Sequence, residues 1–393
     1  MITSCAVIGL EFLALFLAWL QSLGGVRTDE AKILLNIPYP HPPLLRWIVN
    51  QTEFLPFQEM LWRLLLASIV VQAVWLVWKA GAGLARGSRL LACVSWLCSG
   101  AVLLQTGTIT TAPLIAVFGL FLVSIVLQLE NDSSTKKLPG AYFLFVVWLA
   151  ALFTAYQAVL YLPLLVAILL RLRVSRPSLF FIVDAPLFLV MLYVLSNPLS
   201  LDRFVDASTL NVGKNLFQKF ADLGDVLMIA GSGIGALTGV YGMARARSAP
   251  LLFSFLLICA FVFLSFRSYY AILFTPLFIG GIILLLREYP QWWKRIGVAY
   301  ILALIFLYPF PVGLPPSPAR QVMQALTKAR VEGDILINGS FGHEWQYEST
   351  LPIRKYRPEF LKDTSAAVCL DVCEGIGDPW QKLQGVSVDV WVQ

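Results

Sequence analysis

The chain has 393 residues, of which 58% are hydrophobic and only 13% charged. Soluble globular domains hold roughly 45–50% apolar and about 25% charged residues, so this composition excludes an ordinary soluble domain and points to a polytopic membrane protein. The formal net charge is +6; the basic residues stand in short clusters between apolar runs, where topology uses them, and carry no nucleic-acid signal.

The first apolar run is Cys5–Leu23. No basic segment precedes it, Glu11 interrupts it, and no small-residue cleavage site follows, so it reads as a retained span and not as a secretory signal. Just beyond it Arg27, Asp29, Glu30 and Lys32 crowd together, followed by Pro40-His41-Pro42-Pro43. Adjacent helical residues point about 100° apart, so Asp29 and Glu30 cannot serve one atom in the same way. One can face a cavity while its neighbour pairs with Arg27 or Lys32. Each proline fixes its own backbone and restricts the residue before it, which makes a defined extended surface carrying Tyr39 and His41.

Further apolar runs follow at Leu61–Trp78, Leu90–Gln105, Ala112–Leu129, Ala141–Thr154, Gln157–Leu170, Leu179–Ser196, Leu223–Met243, Pro250–Phe266, Tyr270–Leu286 and Gly297–Gly313. With the first run this predicts about eleven spans, the pair flanking Ala155-Tyr156 being short for a full crossing. With the N-terminus in the cytoplasm, every short inner loop is basic: Lys79, Arg86 and Arg89; Lys136 and Lys137; Arg171, Arg173 and Arg176; Arg245 and Arg247; Arg287, Lys294 and Arg295. The positive-inside rule then puts Arg27–Trp47, Asn197–Asp222, the Arg267 turn and the C-terminal tail on the outer face. Glu11 and Asp184 fall near the cytoplasmic ends of their spans and read as pairing or packing residues. The glycines of Gly231–Gly239, "GSGIGALTG", sit inside a span and predict close helix packing, without the strand–turn–helix setting of a dinucleotide loop.

A proline-rich breaker ends the last run. Beyond it Ala319–Arg330 predicts a helix, "GDILINGS" a buried strand and "SVDVWVQ" a second, alternating strand. About 75 residues is small for an independent core, so the tail is expected to be a cap docked on the membrane domain. The expected fold class is an all-α polytopic membrane protein with a small α+β extracytoplasmic tail: a transmembrane domain over residues 1–314 and a C-terminal domain over 315–393. Of the six cysteines, Cys369 and Cys373 alone lie in a polar setting; a disulfide is open to them in an oxidising compartment. His343, one of two histidines, stands beside Glu344. That is too few ligands for a metal site, and the expectation is a structural role in the tail.

Several of these stretches together resemble a family. Asp29-Glu30-Ala31 with His41-Pro42-Pro43-Leu44 is similar to the acidic residue after the first span and the His-Pro-Pro-Leu element of the GT-C glycosyltransferases, in the group of the protein O-mannosyltransferases and the lipid A aminoarabinose transferase. "LFTAYQAVLYLPLLVAILL", "FRSYYAILFTPLF" and "GDILINGSFGHEWQYESTLPIRKY" resemble later segments of bacterial members, in the same order. Two departures stand out. Thr111-Ala112-Pro113 has no acid where many relatives carry an Asp, and Ala155 stands where many have a lysine.

The resemblance implies an inverting membrane glycosyltransferase. It would take a sugar from a polyprenyl-phosphate donor and transfer it on the outer face to the hydroxyl of a lipid, glycan or protein. It implies a catalytic acid at Asp29, with Glu30 beside it, because attack by a hydroxyl of high pKa benefits from a carboxylate base. The leaving lipid phosphate needs positive charge or donors, which nominates Arg267 with its planar fork, beside Tyr269 and Tyr270. Arg27 and Lys32 are second candidates, and an interfacial anchor is the competing reading of Arg267. His41 is assigned to donor binding or loop orientation, and Tyr39, Pro42 and Pro43 to shaping the loop. No cofactor is called for, and a divalent metal stays open. Two other functions share the pattern: a flippase of lipid-linked sugars, which would not need Asp29 as a base, and a non-catalytic assembly subunit.

Overall fold

The computed structural model describes residues 2–38, 42–130, 140–197, 213–306 and 317–393. Tyr39 and His41 lie outside them. Most of the described chain is helical, with a small C-terminal sheet.

Among the described residues, five helices are long and apolar enough to cross a bilayer. They are α1 (Ile2–Leu23), the pair α4 (Gln58–Gln72) and α5 (Val74–Ala80) taken as one rod, α8 (Thr111–Glu130), α11 (Arg176–Ser196), and the last turn-and-helix from Ser268 to Glu288. Short helices α2 (Thr28–Leu34) and α3 (Leu44–Asn50) connect the first two. The other expected runs are shorter or broken. Leu90–Gln105 divides into α6 (Arg86–Leu97) and α7 (Gly100–Gln105) around Cys98-Ser99. Ala141–Thr154 is α9, and a 3-10 turn at Tyr156–Tyr161 leads into α10 (Leu162–Arg171), matching the short pair expected about Ala155.

The expected single span Leu223–Met243 is corrected. It is two helices, α12 (Leu216–Gly231) and α13 (Ile234–Arg245), bent by 93°. The break falls where Ser232 and Gly233 both take positive φ, 49° and 73°, a conformation that ends a helix. Next come α14 (Ala249–Leu264), α15 (Ala271–Glu288) and α16 (Trp293–Phe306). The spanning-length test does not establish the expected count of about eleven.

Helix α15 is the centre of the bundle, buried at every position from Ala271 to Leu286. It can be so enclosed because α13 presents glycines to it. A Cβ on Gly239 would stand 2.6 Å from the Phe278 Cα, and one on Gly242 2.0 Å from the Gly281 carbonyl oxygen. The glycine-rich stretch therefore works as a close-packing face, as its composition indicates. By contrast α1 exposes Phe12, Phe16 and Trp19. Its Glu11 is not stranded on that surface, since its carboxylate accepts from Ser68 at 2.7 Å and Gln72 at 2.8 Å. Asp184 is exposed on α11. With its long apolar helices and apolar exterior, the chain is an integral membrane protein.

The C-terminal segment begins with α17 (Pro318–Lys328), which buries Ala319, Val322, Met323 and Leu326 at helical spacing. Five strands follow, not the two expected: β1 (Ile335–Asn338), β2 (Ile353–Lys355), β3 (Ala366–Cys369), β4 (Gln381–Lys382) and β5 (Asp389–Val392). Their order is β2-β1-β3-β5-β4, with β2, β1 and β3 parallel and β5 antiparallel to both β3 and β4. Helix α17 covers one face through Ile335, Ile337, Ala366 and Val368, and Tyr356 and Leu361 cover the other through Leu336 and Ala367. That double burial suits parallel strands. Cys369 and Cys373 are disulfide-bonded. The short helix α18 (His343–Glu348) leaves the end of β1 and packs against α2.

Candidate active site

A cavity of about 490 Å³ opens where α18 and α2 meet. The helical bundle contributes Arg27, Thr28, Asp29, Glu30, Gln105, Thr108, Thr110, Ser268 and Tyr269 to its lining. From the tail come Ser317, Ser340, Glu344, Trp345 and Leu370.

Helix α2 places neighbouring carboxylates in opposite settings. Asp29 keeps 30% of its side chain exposed and pairs with Lys32 one turn on, at 3.2 Å. Glu30 is 1% exposed. Its Oε1 accepts from Arg63 Nη1 at 2.8 Å and from the Ile109 amide at 2.8 Å, and its Oε2 from the Arg27 amide at 2.8 Å and Arg63 Nη2 at 3.2 Å. Both oxygens are fully occupied.

Arg63, also 1% exposed, is equally committed. It binds Glu59 at 2.8 Å and the carbonyls of Gly25 and Gly107 at 3.0 Å each. The Glu30–Arg63 pair thus ties the segment before α2 to the 105–110 turn, both of which line the cavity. The sequence expectation paired one acid with Arg27 or Lys32. Lys32 does take Asp29, while Glu30's partner is Arg63, unsuspected because it stands inside the run Leu61–Trp78's flank of apolar residues. An arginine in a spanning helix is itself a signal of internal pairing.

Thr28 donates from its hydroxyl to the Glu344 carboxylate, linking α2 to α18. Arg27 lies between Glu30 and Glu344; burial lowers its pKa while those two acids oppose the shift. Gln105 is 6% exposed. Its amide donates to the Tyr269 carbonyl at 2.7 Å, which fixes the side chain's orientation and leaves Oε1 buried without a partner among the described residues.

The other expected residues distribute as follows. Tyr269 lines the cavity and meets Tyr270 edge-on, with ring centroids 4.7 Å apart. Tyr270 is buried, within electrostatic reach of both Arg267 and Asp29. Arg267 is exposed, directly before the cavity-lining Ser268 and Tyr269. Pro42 is buried and Pro43 precedes α3. Tyr39 and His41 fall outside the described residues. Thr111 and Ala155, the departures from the family pattern, are both buried. The described residues hold no group of three or more metal-ligating side chains.

The sequence matches no protein-family profile and no curated protein. Solved structures do match. ArnT from Cupriavidus metallidurans in its apo state superposes with a TM-score of 0.59 at 14% identity, over 99% of this chain and 97% of that one. The mycobacterial arabinofuranosyltransferase AftD superposes with a TM-score of 0.50 at 14% identity, over 98% of this chain and 41% of that one. Both are glycosyltransferases of the GT-C type, and the correspondence with ArnT runs almost end to end through helices and tail alike. The chain therefore has the GT-C glycosyltransferase fold.

Proposed function

We propose that this protein is an inverting membrane glycosyltransferase that moves a sugar from a polyprenyl-phosphate donor to an acceptor hydroxyl, at the outer face of a bacterial inner membrane. The observation that carries the reading is Asp29. It is the acid that α2 leaves partly open inside a hydroxyl-lined cavity, in a chain of GT-C fold.

In this reading the Asp29 carboxylate takes the proton of the acceptor hydroxyl as its oxygen attacks the anomeric carbon. The bond to the lipid phosphate breaks with its electron pair leaving on phosphate. Arg267, at the cavity's edge beside Tyr269, meets that charge. Glu30 is a positioning group, because every lone pair it could offer a substrate is already engaged. Gln105 Oε1 is a buried acceptor suited to a sugar hydroxyl. The reading takes about eleven spanning segments with the N-terminus inside, which would put this cavity on the outer side, with the tail from about residue 315 as its cap.

The test is transfer by the purified protein, given a panel of polyprenyl-phosphate sugars and cell-envelope acceptors, for wild type and Asp29→Asn. Loss of a general base lowers turnover about a hundredfold to ten-thousandfold, with thermal stability unchanged. Wild-type turnover in Asp29→Asn would remove Asp29 from the chemistry.

A further inference from the structure

We infer that Arg320, in the tail, is a positioning residue for the catalytic helix: it holds the backbone that sets the place of Asp29. The inference rests on the reading of Asp29 given above, but it starts from the segment before α2.

Residues 24–27 are the turn between α1 and α2, and Ser22 stands in the last turn of α1. Glycines at positions 24 and 25 leave this turn little rigidity of its own, with Gly25 at φ +76°. Three backbone polar groups of this junction are nonetheless taken up by the tail. Arg320 Nη1 donates to the Ser22 carbonyl. The Ser317 amide donates to the Gly24 carbonyl at 2.7 Å. Glu348 accepts the Val26 amide at 3.0 Å, and that carboxylate is held by Arg320 Nε at 3.0 Å to each of its oxygens. Arg320 also lies against Gly25, where a Cβ would come within 3.0 Å of its own Cβ. On the bundle side Arg63 takes the Gly25 carbonyl at 3.0 Å.

Arg320 further joins the tail to the interior ion cluster. Its Nη2 reaches Glu59 at 2.7 Å, and Glu59 shares Arg63 with Glu30. A chain of charges therefore runs Glu348–Arg320–Glu59–Arg63–Glu30, and ends one residue from Asp29. Burial works against the Arg320 charge, yet its hydrogen bonds to Glu348 and Glu59 prevail and raise its pKa. Each link is charge-assisted, so it is stronger than a neutral hydrogen bond and more directional. A tail that merely covered the bundle would not need to grip the turn from which the catalytic helix starts.

The experiment uses the full-length protein in nanodiscs, as Arg320 wild type, Arg320→Lys and Arg320→Gln. In each, with Cys5 replaced by serine because it is free and exposed, Thr28→Cys serves as a reporter, since Thr28 sits under the tail's Gly342 and Glu344. Modification by a membrane-impermeant maleimide should quicken about tenfold or more in Arg320→Gln, as the turn loosens and α2 leaves the tail, with Arg320→Lys between. Without the reporter, Arg320→Gln should lose about a hundredfold in turnover, the scale of a misplaced catalytic group. Its affinity for sugar-free undecaprenyl phosphate, read by tryptophan fluorescence, should stay within about twofold. A purely structural pin would not separate turnover from lipid binding in this way. Equal labelling rates in wild type and Arg320→Gln, or unchanged turnover, would overturn the inference. If the wild-type protein turns over no donor in the panel, the glycosyltransferase reading fails on its own and the labelling rates still judge Arg320.

Discussion

Asp29 and Glu30 are neighbours on one short helix, and their surroundings could hardly differ more. Glu30 faces the interior, with every acceptor site used by Arg63 and two backbone amides. Asp29 faces a cavity and has one lysine at its side. Two carboxylates with the same chemistry thus divide the work: one can still accept a proton from a ligand, and the other keeps the walls of the cavity in register. The helical offset of adjacent residues creates that division, and the buried arginine across from α2 enforces it. A buried charge without a partner is expensive, so the inner side of α2 can tolerate no looseness. The outer side can.

The strongest way to break the contrast is at Arg63. Arg63→Ala would strand the Glu30 carboxylate in the interior, free the Gly25 and Gly107 carbonyls, and leave Glu59 to Arg320 alone. Removing one partner of a buried pair costs about 3–5 kcal/mol. The expected outcome is poor recovery from the membrane and early thermal unfolding, seen in a melt of the detergent-solubilised protein. Substituting both Glu30 and Arg63 by leucine should not restore stability here. The pair also satisfies backbone groups at Arg27, Ile109, Gly25 and Gly107, which leucine leaves unsatisfied. Asp29→Asn sharpens the contrast from the other side, since it should spare the melt and abolish transfer. A stability loss in Asp29→Asn equal to that in Arg63→Ala would erase the division between the two acids.

How far this arrangement was legible in the sequence depends on whether its signal was local. The glycine packing face and the tail helix emerged where the sequence put them; the apolar runs became helices, but Leu90–Gln105 and Leu223–Met243 each broke in two, and Gly297–Gly313 lies within the described residues only to Phe306. The 93° break between α12 and α13 had a signal, the Ser232-Gly233 turn dipeptide inside the apolar run, but the same glycines also fit close helix packing, and the positive φ values decide for a turn. Strands β2, β3 and β4 were missed because their own signals are weak. β2 and β4 are three and two residues long, too short to show alternation, and β2 carries Arg354 and Lys355 in "IRK"; β3 is as long as β1 and β5, but its Ala366-Ala367 start has low strand preference. At the site, Asp29 stood out through its motif. Arg63, Glu59, Arg320 and Glu348 did not, since they come from distant parts of the chain and each alone resembles an ordinary membrane-edge charge. Arg63 carried the one available hint, a charge in the first turns of an apolar helix.

A smaller effect is expected at Arg267. The residue is exposed, so its replacement should leave stability nearly untouched, in contrast with Arg63. If it meets the donor phosphate, Arg267→Lys keeps the charge and loses the bidentate fork. Loss of one charge-assisted hydrogen bond is worth about 1.5–3 kcal/mol, and the retained charge of lysine should limit the rise in donor KM to about tenfold. Undecaprenyl phosphate binding to wild type, Arg267→Lys and Arg267→Ala measures this directly. Equal affinity in all three would make Arg267 an interfacial anchor, which lysine can replace by snorkelling.

The smallest effect should come from Lys32, and it tests whether an ion pair on the open side of α2 does anything like what its neighbour does on the closed side. Lys32 and Asp29 are 3.2 Å apart, with 20% and 30% of their side chains exposed. Glu30 and Arg63 are 2.8 Å apart at 1% exposure each. Coulomb's law alone would make the two pairs similar. The surroundings separate them, because water screens the outer pair and hydrates both of its partly exposed members when it breaks. A pair of that kind is worth about 0–1 kcal/mol. Lys32→Gln should therefore shift the thermal midpoint only slightly, while Glu30→Gln, which leaves Arg63 short of its counter-charge, shifts it strongly. Parallel melts of the two glutamine variants make the comparison with one substitution type on one helix. Equal shifts would mean that α2 is held by its charges on both faces, and that Asp29 is as structural as Glu30.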